Sequence, residues 1–157
     1  MYSYVCDDDL GMLVGLVTRG RQTDADYTNI MRAILAADRN AVARGIPFTY
    51  LMTVEQDADH PPVSWRVRFG ALSNSLKASP LYFAFVSSNA VERGIFMAVA
   101  WLTNPRERRH MQAFTTFDDA SKWLESLRGH ACPELERLHE RLSASVHHAE
   151  QQSAPSL

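Results

Sequence analysis

The sequence predicts a single α/β domain: a central, mostly parallel sheet of four to five strands with about four helices, plus an extra C-terminal helix. Three observations carry this. A compact apolar run, Leu81 to Val86, breaks at Ser87-Ser88-Asn89. A helix-like stretch follows from Ala90 to Leu102. A second strand-like run, His110 to Phe114, then leads into the helix-like Thr116–Leu124. Strands alternating with helices across short joints make βαβ units, and such units build a parallel sheet.

The remaining elements follow in chain order. Leu10 to Val17 is mostly apolar, with Gly11 and Gly15 inside it. It reads as one strand, or as a tight hairpin with Tyr2–Cys6 turning at Asp7-Asp8-Asp9. A polar loop, Arg19 to Gln22, precedes a helix start at Thr23. There Thr23 can cap and Asp26 can answer it three residues on. Tyr27, Ile30, Met31, Ile34, Leu35, Ala41 and Val42 keep helical spacing. Gly45 suits a left-handed C-terminal turn, and Pro47 cannot continue the helix. Phe48 to Val54 is β-rich and reads as a strand. Glu55 to Val63, with alternating acids and Pro61-Pro62, reads as a loop.

Ser64 is the expected cap of the next helix, whose stripe is Trp65, Phe69, Leu72 and Leu76. Ser79-Pro80 closes that segment. Thr116 and Asp119 repeat the capping pattern ahead of Trp123, Leu124 and Leu127. Pro133 fits the first turn of the last helix, with Leu135, Leu138 and Leu142 on one side. Gln151 to Leu157 is expected to be a flexible tail.

Composition narrows the function classes. The chain has 157 residues, 46% hydrophobic and 22% charged, with a net charge of −2. That charge gives no electrostatic reason to expect nucleic acid. The basic turn Arg106, Arg108, Arg109 and His110 lacks interleaved aromatics and reads as solvated. Cys6 and Cys132 form no CxxC pair and no metal spacing, so free thiols are expected. Met1 to Asp9 has neither the basic start nor the apolar stretch of a signal peptide. No apolar run approaches the ~20 residues that span a bilayer. A cytoplasmic protein without a transmembrane segment is expected.

Candidate chemistry concentrates in two places. Asp57, Asp59 and His60 have the residue types for a metal or a general base, but no distant His or Cys completes a ligand set. A solvated acidic loop is the simpler reading, and neither metal nor cofactor is expected. Ser64 lacks a Gly-x-Ser-x-Gly setting for a nucleophile. Ser87, Ser88 and Asn89 open a helix beyond the carboxyl end of a strand, where open α/β sheets bind ligands. Its free N–H groups, with Arg93 one turn in, would suit an anion. Trp65, Trp101 and Trp123 are assigned to the core.

Three stretches together resemble the STAS/SpoIIAA-like superfamily, which includes anti-sigma-factor antagonists. They are Leu13–Gly20 running into Thr23–Tyr27, Phe83–Asn89 with Val91–Gly94, and Ala113–Leu124. The resemblance covers about residues 10–127 of the chain. It implies a STAS-like domain over 1–130, with 131–150 as a helix packed on the domain or in a homodimer. It also implies a bacterial, non-enzymatic regulatory module that binds a protein partner. The surfaces assigned to that partner are Asp57–Ser64 with the helix after it, and Ser87–Arg93. The family's Asp-Ser-Ser-Gly phosphorylation turn does not occur here, so the phosphoswitch is not carried over. The alternative is a small-molecule or lipid-binding module with a pocket lined by Tyr27, Phe69, Phe96 or Trp101. A hydrolase or metalloenzyme using His60, Asp57 and Asp59 is the least favoured.

Overall fold

Strict alternation along one strand sets up both faces of the structure. In β2 (Met12–Val17), Leu13 and Val17 enter one core, while Met12, Val14 and Leu16 enter the other. A strand buried on both faces is the mark of a sheet covered by helices on both sides. The computed structural model describes residues 1–18, 20–56, 58–101 and 110–153, with side chains left out at 147 and 149–153.

The sheet has five strands in the order β1-β2-β3-β4-β5. β1 (Tyr2–Asp7) runs antiparallel to β2, so the hairpin form of the N-terminal expectation holds. The turn closes on Asp7, whose carboxylate accepts from the N–H groups of Asp9 and Leu10, both at 3.1 Å. Gly11 sits at φ 62, and a Cβ there would stand 2.3 Å from the Pro47 carbonyl oxygen, so only glycine fits. β3 (Phe48–Val54), β4 (Leu81–Ser87) and β5 (Met111–Phe114) continue in parallel.

Sequential order has a consequence. Right-handed crossovers that always step the same way put every crossover helix on the same face. That face carries α1 (Asp24–Arg44), α2 (Val63–Ser75) and α3 (Ala90–Trp101). After β5 no further strand must be reached, and the chain crosses to the other face. There α4 (Phe117–Arg128) and α5 (Pro133–Ser153) bury Ala120, Leu124, Leu135, Leu138, Leu142 and Val146 over Val14, Leu51 and Ala84. The C-terminal helix thus packs on β1 and β2 of its own domain. It runs through Ser153, and residues 154–157 lie outside the described residues.

Caps match the sequence closely. Thr23 and Asp26 form a reciprocal capping box, and Gly45 ends α1 at φ 65. Thr116 accepts from the Asp119 N–H at 3.2 Å, and Gly129 ends α4 at φ 76. Tertiary ties add to these caps. Asp38, buried on α1, accepts from the Lys77 and Ala78 N–H groups at 3.0 and 2.8 Å. Trp65 Nε1 donates to Asp24 at 2.8 Å and joins α2 to α1.

Four expectations need correction. Ser64 does not cap α2: Pro62 holds that position, the helix starts at Val63, and Ser64 is exposed. Proline is suited to a helix start because the missing N–H has no helical partner there. Trp101 is 67% exposed rather than core, and its neighbour Ala100 takes the inward position. Trp123 is half-buried, against Phe114 at 5.3 Å. Val42 is exposed on α1, where Ala41 takes the inward position. The basic turn at Arg106, Arg108 and Arg109 lies outside the described residues.

Two outcomes follow. Asp38→Ala strands two N–H groups and is expected to lower the unfolding free energy by about 2–3 kcal/mol in urea titrations; an unchanged midpoint would show that water replaces the carboxylate. His139 stacks on Phe117 at 4.2 Å, and burial pushes its pKa below the usual 6.5. The unfolded chain therefore binds this proton more readily. Its contribution to stability is complete above pH 6.5 and lost as pH falls toward the lower folded value. Denaturation midpoints of His139→Phe measured between pH 7.5 and 5.5 are expected to fall less steeply than those of the wild type.

Candidate functional site

At the carboxyl ends of the parallel strands, β2 leaves through Thr18, β3 through Glu55 and β4 through Ser87. Two of the connections are fastened together. Gly20 pairs with Ala58 in a parallel bridge, and the Asp59 N–H donates to the Gly20 carbonyl at 3.1 Å. This holds the loop before α2 against the loop before α1. Asp59 and His60 thereby come to the same end of the sheet as Ser87. Asp57, expected beside them, lies outside the described residues.

Below this end is an apolar cavity of about 130 Å³, between the sheet and the three crossover helices. Its floor is Tyr50, Met52, Phe83 and Phe85, and its roof includes Tyr27, Ile34, Phe69, Phe96 and Val99. Rings meet around it: Tyr50 and Phe83 at 4.5 Å, Phe83 and Phe96 at 4.9 Å, Tyr27 and Trp65 at 5.1 Å. Tyr27, Phe69 and Phe96 are three of the four residues expected to line such a pocket; Trp101 is not among its lining residues. Burial pushes the Tyr27 phenol up, with Asp59, Asp26 and Asp24 adding to the shift.

The polar lining is sparse. Gln22, Asp59, Arg66, Ser73 and Glu92 contribute to it. Glu92 is 5% exposed, in the first turn of α3. Its Oε2 accepts a short hydrogen bond from the buried Ser87 hydroxyl. Its Oε1 has no hydrogen-bond partner among the described residues. His60 Nδ1 stands 3.7 Å from that oxygen, beyond hydrogen-bond length. Gln22 is also buried, and its Nε2 donates to the carbonyls of Thr18 at 2.9 Å and Gly20 at 3.2 Å.

The other expected residues have their own partners. Asn89 caps α3, its Oδ1 accepting from the Val91 N–H at 2.9 Å, and Ser88 is exposed. Arg93 Nη1 donates to the Ser87 carbonyl at 2.6 Å. The helix start expected to receive an anion therefore carries its own cap and a buried carboxylate, which leaves it a poor anion site. A nucleophilic triad is also absent from this cluster. Histidine must bridge serine and acid to activate the hydroxyl, whereas here the carboxylate stands between Ser87 and His60. No group of three His, Cys, Asp or Glu side chains among the described residues is placed to hold a metal.

Sequence reasoning named Ser87 and His60 and, of the cavity lining, Tyr27, Phe69 and Phe96. It passed over Glu92 and Gln22, which read as ordinary polar residues of a helix and a loop. A glutamate in the first turn is commonplace; only its burial distinguishes it. Comparison with protein-family models, curated proteins and solved structures returns no match for this chain. No helix among the described residues is long and apolar enough to cross a membrane.

Ser87→Ala removes the one hydroxyl donor to a buried carboxylate. It is expected to cost about 2–4 kcal/mol of stability at neutral pH. Urea midpoints at pH 7 check this, and a midpoint equal to that of the wild type would show that the contact carries no net energy.

Proposed function

We propose that this domain is a non-catalytic binding module for a small, mainly apolar ligand held between the sheet and α1–α3. The single observation that carries this reading is the cavity of about 130 Å³ with its aromatic lining. Apolar cavities near 150 Å³ stay dry and take up benzene-sized molecules. A close-packed interior leaves few voids larger than a water molecule. The cavity runs under the helices from Phe48 and Leu81, at the starts of β3 and β4, to Val17 and Val54, at the ends of β2 and β3, and a mainly apolar lining with a few polar groups is the usual form of a small-molecule site.

The proposal extends the STAS/SpoIIAA-like resemblance, with which the sequential strand–helix alternation is compatible. It favours the ligand-binding form of that expectation over the partner-binding form. A cytoplasmic setting belongs to the same proposal and suits the free thiols Cys6 and Cys132.

A protein partner remains the second reading, on one observation. Val63 and Val67, one helical turn apart on α2, are 69% and 62% exposed beside the Asp59–His60 loop. This is the surface assigned to a partner from sequence. The two readings are compatible, because α2 also roofs the cavity through Phe69 and Leu72.

Toluene is the direct probe. At a hundred times its dissociation constant a ligand stabilises by about 2.7 kcal/mol, which shifts the melting temperature of a domain this size by roughly 5–10 °C. Val99→Phe places a ring at the cavity wall and is expected to abolish that shift while far-UV circular dichroism stays native. A melting temperature independent of toluene in the wild type would remove the cavity reading.

A further inference from the structure

Two residues of the cavity lining each hold a buried acceptor oxygen that has no hydrogen-bond partner among the described residues. Glu92 Oε1 is one and Gln22 Oε1 is the other. The orientation of the Gln22 amide is fixed, because its nitrogen already donates to two carbonyls. The oxygen therefore has to be the free end. Buried polar groups are nearly always paired, by protein, water or ligand. A carboxylate oxygen is the costliest to leave unpaired. Both acceptors stand at the carboxyl end of the sheet, Gln22 following β2 and Glu92 beside the end of β4.

From this we infer that the ligand is an amphipathic amine: a ring- or short-chain-sized apolar body with a protonated amino head that donates to Glu92 and Gln22. The inference rests on the cavity reading and names its ligand class. An ammonium offers three donors and no acceptor, the complement of two bare oxygens. A carboxylate or phosphate head would face Glu92 with like charge. The surrounding charges agree. Among the described residues the one ion-pair neighbour of Glu92 is His60, a side chain that is 38% exposed and whose Nδ1 stands 3.7 Å from Oε1, beyond hydrogen-bond length. Arg93 is engaged at the Ser87 carbonyl, and Arg66 Nε donates to the Pro61 carbonyl at 2.7 Å. Arg66 and Asp59, of opposite charge, both line the cavity.

Calorimetric titration with four probes of one shape tests the inference: toluene, benzyl alcohol, benzylamine and benzoate. Benzylamine is expected to bind the wild-type protein at least about tenfold tighter than benzyl alcohol, since both heads can donate to Glu92 but only the ammonium brings the opposite charge. Benzoate is expected to be the weakest. In Glu92→Gln the advantage of the amine over the alcohol is expected to fall to less than about threefold. If toluene binds but benzylamine gains nothing over benzyl alcohol in the wild type, the ligand class is overturned and the cavity reading stands. If no probe binds the wild type, both are overturned. The wild-type series decides the matter even where Glu92→Gln fails to fold.

Discussion

A mismatch of two spacings governs the helical face of this domain. Strands in the sheet lie ~4.8 Å apart, whereas packed helices need 8–10 Å between axes. Right-handed crossovers in sequential order oblige α1, α2 and α3 to share one face. They must cover four parallel strands that together span only about 14 Å, so the helices cannot each sit squarely over a strand pair. The space beneath them is filled by large rings, Tyr27, Tyr50, Trp65, Phe69, Phe83 and Phe96. Rings are stiff and flat and do not adapt to a wedge as aliphatic chains do. The cavity lies among these rings. Among the described residues the opposite face bears α4 and α5 and has Ala84, Ala120 and Cys132 at its contacts. Small residues let those helices approach closely.

The same constraint explains where polarity enters. At the carboxyl ends of its four parallel strands the chain must turn from strand to helix four times, and each turn brings backbone and cap groups to one end. The Gly20–Ala58 bridge draws two of these turns together. Ser87, last in β4, points into the core because strand alternation demands it, and is 1% exposed. A buried hydroxyl needs a partner, and Glu92 from the next element supplies it. Topology thus places a carboxylate at the end of an otherwise apolar space.

The sequence revealed the fold more fully than the site, for a physical reason. Elements are encoded locally: Thr23 with Asp26, Gly45, Thr116 with Asp119, and the alternation in Met12–Val17 can all be read from neighbours in the chain. The aromatic lining was also partly legible, since Tyr27, Phe69 and Phe96 lie on apolar helical faces. Trp101 misled because the run Ala90–Trp101 is apolar almost throughout, so the pattern does not tell its inward residue, Ala100, from its exposed neighbour. Ser64 misled because a serine shortly after two prolines has the look of a cap, yet the second proline itself holds the cap position and the helix starts at Val63. Glu92 and Gln22 were invisible for a different reason. Their burial is produced by strands and loops distant in sequence, and nothing in the residues beside them announces it.

A buried carboxylate with one oxygen that no hydrogen bond reaches among the described residues is an expensive feature to maintain. Removing such a group from water costs several kcal/mol after relaxation, and the Ser87 hydroxyl answers only one of its two oxygens. An apolar residue at position 92 would close the cavity end at lower cost, since buried ionic groups are often replaceable by packed hydrophobes with no loss of stability. The cost finds a use in the proposed ligand-binding reading. A donor arriving with the ligand would repay the desolvation that folding leaves outstanding, and would do so only for a head group of the right sign. Selectivity of that kind comes from the penalty for leaving a buried acceptor unpaired as much as from the bond formed. Stability given up at Glu92 and discrimination gained there are two sides of one desolvation energy.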